Sequence, residues 1–156
     1  MSPHSFSRYL DQHPSLFAAI VPIYFLTLWL LIGAIVSVVG GWRSLSKLYR
    51  TQVSFGGAKW GLQSGQMRWR TNYNHVLTLG ASGEGLYLAV SFVFRFMHPA
   101  LLIPWREIKV RRSQGWFFEY VTFTLGQELT IPLRIRAKLA ERLKNEAGGY
   151  WPVEET

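Results

Sequence analysis

The chain has 156 residues, a net charge of +8 and no cysteine, and 49% of its residues are hydrophobic. That length holds one small domain beside any anchor. The missing thiols exclude disulfides and deprive a transition-metal site of its commonest sulfur ligands.

Residues 12 to 42 carry no charge, and the run from Leu16 to Gly41 is almost wholly apolar. A bilayer is crossed by about 20 apolar residues at roughly 1.5 Å each, so a transmembrane helix is expected over 15–42 after a short tail over 1–14. A cleaved signal peptide fits poorly. The segment before Leu16 lacks a basic n-region, the run is too long for an h-region, and no small-x-small site stands cleanly before Arg43. Arg8 and Asp11 cancel on one side of the span, whereas Arg43, Lys47, Arg50 and Lys59 follow it with no acid before Glu84. The positive-inside rule then puts the C-terminal domain in the cytoplasm and the N-terminus outside, in an inner membrane crossed once.

Within the span, Pro22 is expected to kink the helix or sit near its first turns. Trp42 stands where an interfacial anchor belongs. Gly33, Ser37 and Gly41 recur at i, i+4, i+8 and so share one helix face, where small residues let a second helix approach closely.

Residues 43–62 read as a juxtamembrane helix giving way to a glycine-bearing loop. From there to 148 the period becomes two. Met67, Trp69 and Thr71 alternate with Gln66, Arg68 and Arg70. Leu77 and Leu79 lead through Ala81-Ser82-Gly83-Glu84-Gly85 to Leu86, Leu88 and Val90, a hairpin. Ser91 to Met97 is expected to be extended, with Phe92, Phe94 and Phe96 on one side. His98-Pro99 breaks it, and a short strand over Leu101 to Ile103 stops at Pro104. Ile108 and Val110 oppose Lys109 and Arg111 on the next strand. Trp116 to Leu125 is expected to pair with Glu128 to Leu133 through Gly126-Gln127. Ile135, Leu139 and Leu143 form a helical stripe that ends at Gly148-Gly149, before a tail over 149–156. These elements describe a mainly β chain: six or seven antiparallel strands in a small barrel or bent sandwich, closed by a C-terminal helix.

The order of elements, the "GEGLYL" return of the hairpin, and "LLIPWREI" with Pro104-Trp105 followed by Glu107-Ile108 resemble the pleckstrin-homology superfold in its bacterial, GRAM-like form. "FRFMHPALLIPWREI" also resembles small single-anchor bacterial membrane proteins of uncharacterised function. The resemblance covers roughly residues 62 to 147. It implies a binding module, and its motifs carry no catalytic signature.

The residues themselves point away from chemistry. Gly80, Gly83 and Gly85 are followed by a strand pattern, not by the helix N-terminus that a phosphate cradle requires. His75 and His98, with Glu84, Glu107 and Glu119, lack metal-ligand spacing, and no serine occupies a nucleophile elbow. No enzyme activity, cofactor, metal or small-molecule substrate is expected.

Basic residues are the better candidates for function. Arg106, Lys109, Arg111 and Arg112 cluster within seven positions, a candidate contact for anionic lipid or an acidic protein. Arg43, Lys47 and Arg50 serve topology, and Arg134, Arg136, Lys138, Arg142 and Lys144 are assigned to the last helix. Phe94, Met97, Leu101 and Trp105 belong to a run with more large apolar residues than a small barrel buries, a candidate apolar contact. Trp116, Phe117, Phe118 and Tyr120 are expected in core or interface, and the anchor argues against nucleic acid.

Two readings follow from the sequence. One is a membrane-anchored PH-like module that recognises a protein partner, anionic lipid or both. The other is an assembly subunit, or homo-oligomer, that associates through Gly33, Ser37 and Gly41.

Overall fold

The computed structural model describes residues 14–155. The tail expected over 1–14, with Arg8 and Asp11, lies outside them except for Pro14. The chain divides into two compact units, one reaching Ile35 and the other starting at Val36.

Helix α1 runs over Pro14–Val39 and is long and apolar enough to cross a membrane. Its large side chains, Phe17, Ile23, Phe25 and Leu31 among them, are exposed. A helix that is apolar all round and uncovered by protein suits lipid as its solvent. Pro22 lies inside it.

The second unit starts with the last turn of α1. Gly40 N–H donates to Val36 O and Gly41 N–H to Val38 O, and Gly41 turns the chain at φ 83°. A Cβ at Gly41 would stand 2.8 Å from Ile131 Cδ1, so both its conformation and its contact require glycine. Helix α2 (Trp42–Tyr49) follows, burying Trp42, Leu45 and Tyr49 while Arg43 and Lys47 face solvent.

Eight strands complete the unit: β1 (Ala58–Met67), β2 (Thr71–Ser82), β3 (Gly85–Val90), β4 (Leu101–Ile103), β5 (Ile108–Gln114), β6 (Glu119–Leu125), β7 (Ile131–Arg136) and β8 (Glu154–Glu155). Helix α3 (Ala137–Ala147) separates β7 from β8. The sheet order is β4-β3-β2-β1-β7-β6-β5-β8. Two antiparallel meanders therefore meet where β1 pairs with β7, at Gln66 opposite Arg134. Register shifts between Trp60 and Gly65 bend β1 at that seam. A Cβ on Gly65 would lie 2.9 Å from Leu77 Cδ1 and 3.2 Å from Leu133 Cδ1, so its absence lets the two halves curl together.

Alternation then builds the core. Leu77 and Leu79, Leu86 and Leu88, Val121 and Phe123, and Leu133 and Ile135 face inward, and α3 closes them over with Leu139, Ala140 and Leu143. Strand β3 is buried on both faces because Phe55 stacks on the outward Tyr87, with ring centroids 4.7 Å apart.

The structure corrects several expectations. Helix α1 ends at Val39, so Gly41 lies outside the face it was to share with Gly33 and Ser37. Strand β1 begins at Ala58, inside the expected juxtamembrane loop, and a 3-10 turn over Arg68–Arg70 interrupts the alternation around Met67. Residues 91–98 are not extended: four i→i−3 hydrogen bonds, donated by the N–H groups of Phe94, Arg95, Met97 and His98, wind them into helical turns. Strand β6 starts at Glu119, which leaves Trp116–Phe118 in the preceding turn. Ile135, Arg134 and Arg136 belong to β7, not to the last helix. The expected tail contains β8, an eighth strand parallel to β5.

Candidate functional site

The four cations expected to act together are divided among different surroundings. On β5, Lys109 and Arg111 point outward, while Arg112 has the parity of Ile108 and Val110. Arg112 therefore reaches the inner side at the strand end, where it meets Glu141 of α3 and donates from Nε to Glu154 Oε2 at 3.1 Å. Lys144 Nζ donates to the other Glu154 oxygen at 2.9 Å. Hydrogen bonds from Arg112 first and Lys144 second hold the Glu154 carboxyl down at about 2. Lys109 Nζ lies 3.2 Å from Glu155. Arg106 sits on the 3-10 turn before β5, beside Glu107. Glu107 in turn accepts the hydroxyl of Tyr49, whose pKa is pushed up to about 12 by burial and by that bond. Strand β8 thus consumes much of the predicted basic cluster while covering the β5 edge.

A second basic group replaces it on the outward face. Pro132, Arg134 and Arg136 alternate with the buried Ile131, Leu133 and Ile135 along β7. The Arg134 guanidinium stands 4.1 Å from the Tyr120 ring, and that of Arg136 stands 4.8 Å from Phe118. Arg134 Nε is buried without a hydrogen-bond partner. Among the described residues no carboxylate pairs with Arg111, Arg134 or Arg136. A groove of about 520 Å³ runs over this face, lined by Arg111, Ser113, Thr122, Thr124 and Arg134, with the Lys109–Glu155 pair beside them.

The face ends in an aromatic tip. Gly115 N–H donates to Phe118 O at 2.9 Å and closes a turn in which Trp116 is 98% and Phe117 86% exposed. Phe118 is half-covered by Arg136, which joins the tip to the basic face. Ile131, paired with Leu125 at the opposite end of β6 and β7, lies by Gly41. Six residue steps along β6 separate the two ends, roughly 20 Å at the usual strand rise.

A different aromatic group occupies the Gly41 end. Phe92, Val93 and Phe96 are exposed, whereas Phe94 and Met97 are half-buried. Leu101 and Trp105, expected to make apolar contacts outside the chain, are core residues, and Trp105 Nε1 donates to Ser82 O at 2.7 Å. Behind the turn, buried His98 meets the Tyr73 hydroxyl through Nε2 at 3.2 Å and Phe94 O through Nδ1 at 3.3 Å. Burial lowers the His98 pKa against the opposing pull of that carbonyl. Ser37 Oγ donates to Met97 O and Trp42 Nε1 to Pro99 O, each at 2.9 Å. Two of the three small residues proposed for helix packing, Ser37 and Gly41, are therefore used by the chain's own domain.

Comparison with known proteins finds no matching family model, curated protein or solved structure. The geometry carries the functional argument alone.

The described residues contain no cluster of three or more His, Cys, Asp or Glu side chains that could hold a metal ion. The outward face presents exposed rings beside arginines that have no carboxylate partner among the described residues. Sequence reasoning missed Arg134 and Arg136 as outward strand residues, although the alternation from Ile131 to Arg136 was there to find them.

Proposed function

We propose that this chain is a non-catalytic, membrane-anchored PH-like binding module. Its β6–β7 face and Trp116–Phe118 tip engage an acidic protein surface on the cytoplasmic side. The PH-like reading is supported by two meanders in the order β4-β3-β2-β1-β7-β6-β5, with a helix packed after β7. The observation that carries the reading is the tip itself, two almost fully exposed aromatic side chains continuous with Arg136 and Arg134. Aromatics and arginine are the residues that dominate protein–protein hot spots, and stacked guanidinium groups lose little freedom on binding. Arginines without a carboxylate partner of their own favour a negative partner.

The test uses full-length protein in mild detergent. Proteins that co-purify with it are compared with those held by a W116S/F117S variant and by an R134Q/R136Q variant. One species lost from both variants, with unfolding temperatures unchanged, supports the module. An identical set from all three sinks it. Loss of association on G33L alone favours assembly through the helix.

A further inference from the structure

We infer that the turn over residues 92–97 seats the domain in the bilayer. Phe92, Val93 and Phe96 enter the boundary between headgroups and acyl chains of the leaflet from which α1 emerges, and Arg95 lies among the phosphates. The inference rests on the reading of α1 as membrane-spanning, and goes beyond it by assigning a second membrane contact.

The turn is fastened at the depth where the apolar helix ends. Ser37 belongs to the last turn of the apolar helix, and its hydroxyl holds Met97 O at 2.9 Å. Trp42, directly after the helix, holds Pro99 O at the same distance. Both anchor points of the turn are thus tied to the chain where the helix ends, and Val38 and Val39 of that helix are themselves exposed.

Shape points the same way. With i→i−3 hydrogen bonds the side-chain period is three, so Phe94 and Met97 point inward together. Phe92 with Arg95 and Val93 with Phe96 must then point away, and Phe92 and Phe96 are 86% and 79% exposed. His98 Nδ1 meets Phe94 O behind the turn at 3.3 Å, on the side away from these rings.

The charge pattern agrees. No acid occurs between Val90 and Arg106, while Arg95 on the turn and Arg43 and Lys47 on α2 are exposed. Aromatic rings with a few cations and no acids are the composition of a membrane-interface contact.

The natural lack of cysteine makes single labelling sites unique. Nitroxides are placed at F92C and F96C in the full chain, reconstituted into vesicles of phosphatidylcholine and phosphatidylglycerol. Collision with O2 is compared with collision with a water-soluble nickel chelate. L26C on α1 is the lipid reference and V153C, on an exposed residue, the water reference. At F92C and F96C, O2 collisions should exceed chelate collisions, as at L26C, and the order should reverse at V153C. If F92C and F96C match V153C while L26C is lipid-like, the seating is overturned and the span stands. A label shielded from both probes marks a protein contact and also overturns it. A water-like L26C overturns span and seating together.

Discussion

Two groups of exposed aromatic side chains stand at opposite ends of the sheet, and they differ in how the chain supports them. Phe92, Val93 and Phe96 ride on helical turns fastened from behind by Ser37, Trp42, Tyr73 and His98. Trp116 and Phe117 cap a bare hairpin turn closed by one backbone hydrogen bond, with arginines for neighbours. Exposed aromatic area alone does not identify a partner. The two proposals therefore rest on the residues behind it, an apolar helix end for lipid and a basic sheet face for an acidic protein.

The most severe test of this contrast is W42A. It removes a fully buried indole that packs on Tyr73 and His98 with centroids at 5.9 and 5.1 Å. Deletions of that kind cost about 3–5 kcal/mol, readable by denaturant titration in detergent. A nitroxide at F96C should become mobile in this background while one at W116C stays as it was. Equal loosening at both sites would break the distinction.

Next in size is the tip. W116S/F117S should weaken partner binding by tenfold or more, about 1.4 kcal/mol, with stability changed by less than about 0.5 kcal/mol because neither residue is packed. A drop in melting temperature comparable to that of W42A would show the tip to be structural.

Acidity separates the regions further. Burial lowers the His98 pKa against the pull of Phe94 O, so on acidification the unfolded chain takes up the proton before the folded one. The stability it contributes is full above the ordinary histidine pKa of 6.5 and falls as pH drops below it. In H98Q the slope of the unfolding midpoint between pH 7 and pH 5 should flatten. Glu154 behaves as a depressed carboxyl: its contribution is complete above 4.5 and is lost as pH falls toward about 2. Hydrogen exchange at β8 should therefore stay slow near pH 5, where His98 already weakens the other end. If β8 opens first, Arg112 and Lys144 do not hold the tail.

The smallest expected change is in F96S. Its stability in detergent should differ from that of the parent by less than about 0.5 kcal/mol, since the ring touches no core. A larger loss in detergent would mean that Phe96 packs within the protein.

Much of the β framework was legible because period-two alternation with buried Leu and Val needs no distant information. The turn between β2 and β3, strand β4, the start of β5 and the end of the last helix lie where their patterns put them. The turn over 91–98 was misread for a definable reason. Phe92, Phe94 and Phe96 alternate as a strand does, yet the hydrogen bonds available there, to His98 and the end of α1, stabilise a period of three. The site was less legible than the fold. Arg106, Lys109, Arg111 and Arg112 are neighbours in sequence, but the strand pleat turns Arg112 away from Lys109 and Arg111, and β8 brings Glu154 and Glu155 to the group.

By itself, the sequence determined that an uncharged apolar rod precedes a basic, alternating β domain with a terminal helix. Those properties depend only on composition and on periods of two and 3.6 residues. Tertiary structure alone decided which cations remain without acids, which aromatics stay in water, and that Ser37 and Gly41 serve their own domain. Each of those outcomes depends on residues far apart in the chain, whose meeting is set by sheet order and by the curl at Gly65, and no local pattern encodes it.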